Sequence, residues 1–163
     1  MTKIGLLSET HSFLDDAVFK QFENCDEIWH AGDFGNIELA DQLVAFKPLR
    51  GVYGNIDGQD IRQTYPEDLR FNCDGLDVWM THIGGYPDRY HPRIKRTIYT
   101  KPPQLFITGH SHILKVIYDK RINCLHLNPG AAGKQGWQTV RTLMRFSIEG
   151  GKVQQLEVIE LNR

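Results

Sequence analysis

The opening 55 residues alternate short apolar runs with segments of helical period, and this alternation limits the fold more than any other feature of the chain. "KIGLLS" (3–8) predicts a strand. "FLDDAVFKQF" (13–22) follows with Leu14, Ala17, Val18 and Phe22 at helical spacing and Ser12 placed to cap the helix. "DEIWHAGD" (26–33) predicts a second strand. "NIELADQLVAF" (36–46) predicts a second helix, capped by Asn36, with Ile37, Ala40, Leu43 and Val44 facing inward. "PLRGVYGN" (48–55) predicts a third strand. A β-α-β-α-β order favours parallel strands joined by helical crossovers.

After residue 66 strands dominate. "EDLRFNC" and "LDVWMTH" flank Asp74-Gly75, the signature of an antiparallel hairpin. "HPRIKRTIYT" (91–100) carries a short helical pattern that Pro102-Pro103 ends. "QLFITGH", "LKVIYDK", "INCLHLN", "TVRTLMRFSI" and "KVQQLEVIEL" predict further strands, the last two joined by a tight turn at "EGG" (149–151). Val140, Thr142, Met144, Phe146 and Ile148 should share one face. Trp29 and Trp79 sit in strands and belong to the core, whereas Trp137, in "KQGWQ", is expected at the surface, where it could serve an interface. The expected fold class is mixed α/β, with two mixed sheets packed face to face and helices outside, in one domain over residues 1–163.

Composition excludes several functions. The 19 basic and 20 acidic side chains nearly cancel, so no global field draws the chain to nucleic acid or to an acidic membrane. No apolar run approaches the roughly 20 residues that cross a bilayer, and "MTKIGLLS" turns polar too soon for a signal peptide. Cys25, Cys73 and Cys124 are odd in number and lack CxxC spacing, which suits a reduced, cytoplasmic location with inert thiols.

The chemistry gathers at strand ends. Glu9 and His11 follow the first strand, Asp33 the second, and Asn55 and Asp57 the third; His82 follows "DVWMT", and His110 and His112 follow "LFIT". Loops beyond the carboxyl ends of strands are where α/β sheets collect ligands. Imidazoles, an amide oxygen and a carboxylate able to bridge suit divalent ions such as Mn, Fe, Ni or Zn. The donors are too many for one tetrahedral ion but fit two sharing a carboxylate, a device for phosphate ester hydrolysis.

In this respect the chain resembles the calcineurin-like metallophosphoesterases, most of all their small prokaryotic phosphodiesterase branch. The family order D-x-H, G-D, G-N-x-[DE], H and G-H-x-H is met here by "SETH", "HAGD", "GNID", "MTH" and "GHSH", four of the five in full. "LNPGAAG" (127–133) is similar to a loop common after the last of them. The resemblance implies a four-layer αββα fold and a small phosphorylated substrate, and relatives often form homo-oligomers. It also implies one metal held by Glu9, His11, Asp33 and His112 and a second by Asp33, Asn55, His82 and His110, with a metal-bound hydroxide attacking phosphorus in line. Asp57 would support the ligands by orienting Asn55 or a histidine.

Two positions depart from the family. Ile56 stands where many members place a His that protonates the leaving group, help worth roughly 10²–10⁴-fold. This favours activated or diester leaving groups, or another donor. Glu9 stands where the family has Asp, and the extra methylene displaces its carboxylate by about 1–1.5 Å. If that length limits the site, Glu9→Asp should raise metal occupancy or turnover. Both departures lend support to a rival reading, a protein-binding scaffold like the retromer subunit that resembles these enzymes. The HxH pair would also suit an amidohydrolase barrel, but such barrels need about 250 residues and eight βα units, which the chain lacks. His30 and His126 are expected to be buried within strands. "RYHPRIKR" (89–96) is the one basic cluster, a solvated helix face or a phosphate-attracting rim that Arg93 and Arg96 would supply.

Overall fold

In the computed structural model, which describes residues 1–163, the predicted alternation appears as β1 (Thr2–Leu7), α1 (Asp16–Phe22), β2 (Glu27–His30), α2 (Ile37–Phe46) and β3 (Leu49–Gly51). β1 pairs in parallel with β2 (Ile4 opposite Glu27) and β2 with β3 (Ile28 opposite Leu49), as helical crossovers require. A short α3 (Gln59–Thr64) leads into the hairpin of β4 (Asp68–Cys73) and β5 (Leu76–Thr81), which turns at Asp74-Gly75. Then come a two-residue hairpin, β6 (Gly85–Tyr86) and β7 (Arg89–Tyr90), and α4 (Pro92–Ile98). Strands β8 (Leu105–Ile107), β9 (Lys115–Asp119), β10 (Cys124–Asn128), β11 (Arg141–Glu149) and β12 (Lys152–Leu161) complete the chain.

The strands form two five-stranded mixed sheets, ordered β12-β11-β1-β2-β3 and β4-β5-β8-β10-β9. Period-two alternation explains how they stack. Ile4 and Leu6 of β1, Met144, Phe146 and Ile148 of β11, and Val78, Met80, Leu105, Ile107 and Leu127 of the second sheet meet in one cluster between the sheets. Leu7, Ile28 and Leu143 point the other way, onto Val18, Phe22, Leu39 and Leu43 of α1 and α2. Trp79, Phe106 and Cys124 face outward from the second sheet onto Ile94 and Ile98 of α4. The result is helix, sheet, sheet, helix. Each fully buried large aliphatic side chain adds about 1.5–3 kcal/mol.

Several local expectations are corrected. Helix α1 starts at Asp16 because Ser12 has a left-handed φ of 65°, whereas an N-cap needs extended backbone. Asp15 takes the N-cap position without capping, because Arg141 binds its carboxylate through two nitrogens at 2.9 and 3.0 Å. In α2, Asn36 caps as expected, accepting from Leu39 N–H at 3.0 Å, but Leu39 is buried where Val44 was expected and Val44 is exposed. Val140 lies just before β11, outside the regular strand, and is also exposed. Strands β2 and β3 stop three and four residues short of their predicted ends, which leaves Asp33 and Asn55 in loops. Trp29 and Trp79 are buried and Trp137 is fully exposed. All three cysteines are free and buried, and burial pushes the Cys124 thiol up to about 12. No helix is long and apolar enough to cross a membrane.

Candidate metal centre

The loops that follow β1, β2, β3, β5 and β8 converge at one end of the sandwich, with their backbones cross-bonded beyond the strands. Glu9 N–H donates to Gly32 O at 3.1 Å, His11 N–H to Asp33 O at 3.1 Å, and Gly109 N–H to His82 O at 3.0 Å. The loop after β10 closes the other side, where Ala132 and Gly133 N–H donate to Ser8 and Glu9 carbonyls at 2.9 and 3.0 Å. Within this frame Glu9, His11, Asp33, His110 and His112 all have positive φ, between 45° and 69°. Each such residue costs roughly 1–2 kcal/mol, and concentrated strain of this kind marks a functional site.

The side chains form two adjoining groups. Glu9, His11 and His112 bring ligand atoms together, as do Asp33, His82 and His110. Glu9 Oε2 lies 3.1 Å from His11 Nε2 and 3.0 Å from His112 Nε2. Asp33 Oδ2 lies 3.5 Å from His11 Nε2 and 3.2 Å from His82 Nε2, between the two groups. Asn55 Oδ1 completes the second group at 2.9 Å from both His82 Nε2 and His110 Nδ1. Glu9, Asp33 and His82 form a buried floor, and Asn55 and His110 an exposed rim.

Hydrogen bonds set the imidazole tautomers. His82 Nδ1–H donates to Ala31 O at 2.8 Å, so its Nε2 lone pair faces the site. His112 Nδ1–H donates to Gln138 Oε1 at 3.3 Å with the same consequence. Burial alone would raise the Glu9 carboxyl, but hydrogen bonds with His11 and His112 and the charge of His82 hold it well below the carboxylate range. Burial would lower His82, but Asp33 and Glu9 raise it. The bond to Glu9 raises His112, whereas burial lowers His110. Neither Lys nor Arg pairs with Glu9 or Asp33, whose only ionic partners are histidines. Two carboxylates ringed by convergent nitrogen and oxygen lone pairs fit divalent cations.

Asp57 plays a different part from the one expected. Its carboxylate touches neither Asn55 nor a histidine side chain but accepts four backbone N–H bonds, from Asp33, Phe34, Gly35 and Gly54, at 2.8–3.2 Å. It therefore binds the Asp33 loop to the Asn55 loop. Asp33 Oδ1 in turn accepts from Ile56 N–H at 3.1 Å, and the loops approach so closely that a Cβ on Gly54 would collide with the Asp33 carboxylate.

Glu9 also joins two loops. Oε1 accepts from the His110 backbone N–H and from the Ser8 hydroxyl, while Oε2 faces His11 and His112. The longer side chain thus spans from the "GHSH" loop to the ligand cluster. This reverses the expected effect of shortening it. Glu9→Asp forfeits one of the two contacts and should lower metal affinity by about 10–100-fold, read by titration calorimetry with Mn or Zn. Tighter binding would show that the methylene is a defect.

Gln138 and Asn128 were not identified from sequence. Asn128 Nδ2 donates to Gly109 O at 2.9 Å and to Ser111 Oγ at 3.2 Å, pinning the "GHSH" turn. Only its place in "LNPGAAG" hinted at this, and nothing distinguished Gln138. In the basic cluster, Arg93 Nη1 binds Asp68 at 2.7 Å and Nη2 binds Thr81 at 2.9 Å, so its guanidinium clamps β4 to β5; Arg96 is exposed on α4.

His30, fully buried, accepts from Gly32 N–H at Nδ1 and donates from Nε2 to Thr10 Oγ1, both at 3.0 Å. Its ring stacks on Phe34 at 3.7 Å. Burial lowers its pKa from 6.5 to about 3. Between those values the unfolded chain binds a proton that the folded one refuses, so stability falls on acidification by about 1.4 kcal/mol per pH unit. His30→Phe keeps the stack but cannot titrate. Its stability deficit in urea unfolding should shrink by roughly 2 kcal/mol between pH 6.5 and pH 5; a constant deficit would refute this. His126 is also buried, with both ring nitrogens unpartnered, and burial lowers it to about 4.

Comparison with known proteins agrees with this geometry. A family model described as the calcineurin-like phosphoesterase superfamily domain matches residues 2–151. A probable metallophosphoesterase of Methanocaldococcus jannaschii is 31% identical over 156 residues, covering 90% of this chain and 76% of that protein. Two solved structures share the fold. A novel archaeal phosphodiesterase superposes with a TM-score of 0.74 at 21% identity, over 98% of this chain and 99% of that one. Vps29 from Entamoeba histolytica, complexed with zinc, gives 0.72 at 17% identity, over 97% and 98%.

Proposed function

The chain belongs to the calcineurin-like phosphoesterase superfamily, and from that premise we propose that it is a phosphodiesterase of small phosphorylated molecules working with two divalent metal ions. The observation that carries this reading is the meeting of two ligand groups at the Asp33 carboxylate. Glu9, His11, Asp33 and His112 would hold one ion; Asp33, Asn55, His82 and His110 would hold the other. Such a pair polarises phosphoryl oxygens and lowers the pKa of a bound water. The chain's own contribution is positioning. Strained, cross-bonded loops hold the donors, Ala31 and Gln138 set two imidazole tautomers, and Asp57 keeps Asp33 and Asn55 in register. The protein-binding scaffold is the second reading; the family match and the two ligand groups that meet at Asp33 favour the hydrolase over it.

Cavities of about 660 and 320 Å³ open beside His110–His112 and beside Asn55–His82, room for a small substrate. Ile56, 48% exposed, places an apolar side chain where an acid would stand, which favours diester and activated leaving groups. The test is metal analysis of the purified protein with Mn, Ni, Fe or Zn supplied in turn, combined with rates on bis(p-nitrophenyl) phosphate and p-nitrophenyl phosphate. Two metals per chain and faster hydrolysis of the diester are expected. Failure of metal-loaded protein to cleave either ester would refute the reading.

A further inference from the structure

With Ile56 unable to donate, a hydrogen bond to the leaving group must come from elsewhere. Cavities of about 320 and 260 Å³ open beside Asn55–His82 and beside His110, and His91 lines both. Arg93 is engaged by Asp68 and Thr81, Arg62 by the carbonyls of Asp57 and Asn55, and Tyr53 by Glu67. Tyr86, Arg89 and Lys115 line only the cavity beside His110, so His91 is the side-chain donor common to both cavities. His91 N–H donates to Gly84 O at 3.0 Å, which ties it to a point two residues beyond His82. Gly84 is itself packed so tightly that a Cβ there would lie 2.6 Å from the Thr108 methyl. As N-cap of α4, His91 accepts Arg93 N–H at Nδ1 (3.2 Å), which places the ring hydrogen on Nε2, where it has no protein partner.

We propose that His91 is a catalytic residue whose Nε2–H donates a hydrogen bond to the leaving oxygen of a phosphate ester bound at Asn55, His82 and His110. The inference rests on the phosphoesterase reading above. As the bond from water oxygen to phosphorus forms and the bond from phosphorus to the leaving oxygen breaks, the electron pair passes to the leaving oxygen. The His91 hydrogen bond meets that charge. The proton released by the water reaches the leaving group through solvent, and His91 keeps its own.

Two substitutions separate this role from the capping one. Asn is a strong N-cap, so His91→Asn still accepts Arg93 N–H but ends short of the Nε2 position. His91→Gln restores a donor near that position. Metal-loaded wild type and both variants would be compared on diphenyl phosphate, whose leaving group is basic, and on bis(p-nitrophenyl) phosphate, whose leaving group is not. With H91N at unchanged melting temperature and metal content, kcat should fall about 10²-fold on the phenyl ester and less than about 10-fold on the nitrophenyl ester. H91Q should regain part of the loss on the phenyl ester. Equal losses on both esters, or none, overturn the role of His91 and leave the phosphodiesterase reading standing. A wild type that cleaves neither ester overturns both.

Discussion

Asp33→Asn should remove the proposed phosphodiesterase activity by at least about 10³-fold while the fold survives. The substitution is nearly isosteric. Its amide oxygen can still accept Ile56 N–H, the bond that Asp33 Oδ1 makes at 3.1 Å. The amide nitrogen would then occupy the place of Oδ2, between His11 Nε2 and His82 Nε2 at 3.5 and 3.2 Å, where it has no lone pair for a cation. Because that atom faces a histidine of each group, bound metal should fall at both sites together. Circular dichroism, metal content and diester turnover measured on one preparation provide the check. A variant with full metal and wild-type turnover would remove Asp33 from the site.

Asp57→Ala should produce the largest loss of stability, because one carboxylate closes four backbone hydrogen bonds across two loops. Bonds to a charged acceptor contribute about 1.5–3 kcal/mol each. They are not additive, so a net loss of about 3–5 kcal/mol is expected, against a typical total of 5–15 kcal/mol. For a chain of this size the melting temperature should drop by roughly 10–15 °C. Asp57→Asn should lose nearly as much, since its amide hydrogens would face N–H groups where the carboxylate offers lone pairs. Asp57 is 3% exposed, so solvent gives little relief. An unchanged melting temperature in the alanine variant would show that the loops are held by other means.

The fold was most legible where periodicity ran longest. The β-α-β-α-β opening and the Asp74-Gly75 hairpin each announce a period or a turn, and they appear as read. Helix α3 spans six residues and β6 and β7 two each, too short for a repeat to show. Predicted strand ends overran because apolar residues continue into the loops; Ala31 and Phe34 are buried beyond β2, and Val52 beyond β3. Leu39 and Val44 exchanged places because a helical stripe drifts around its axis and only the neighbouring sheet decides which edge is covered.

For the candidate site, residue type and position at strand ends selected Glu9, His11, Asp33, Asn55, His82, His110 and His112, the side chains that the structure brings together. The sequence by itself determined this inventory, because a strand has a carboxyl end whose loop must carry its polar residues into common space. What each residue does there was decided by the tertiary structure alone. Glu9 appeared as a ligand of the wrong length until its carboxylate was seen to reach the His110 backbone, 101 residues away. Asp57 appeared as a partner for side chains until its oxygens were found on four amides of two loops. Gln138 and His91 carried no signal of their own. The physical reason is common to Glu9, Asp57 and Gln138. A hydrogen bond depends on angstroms between groups that the chain separates by tens of residues, and only the packed sandwich sets those distances.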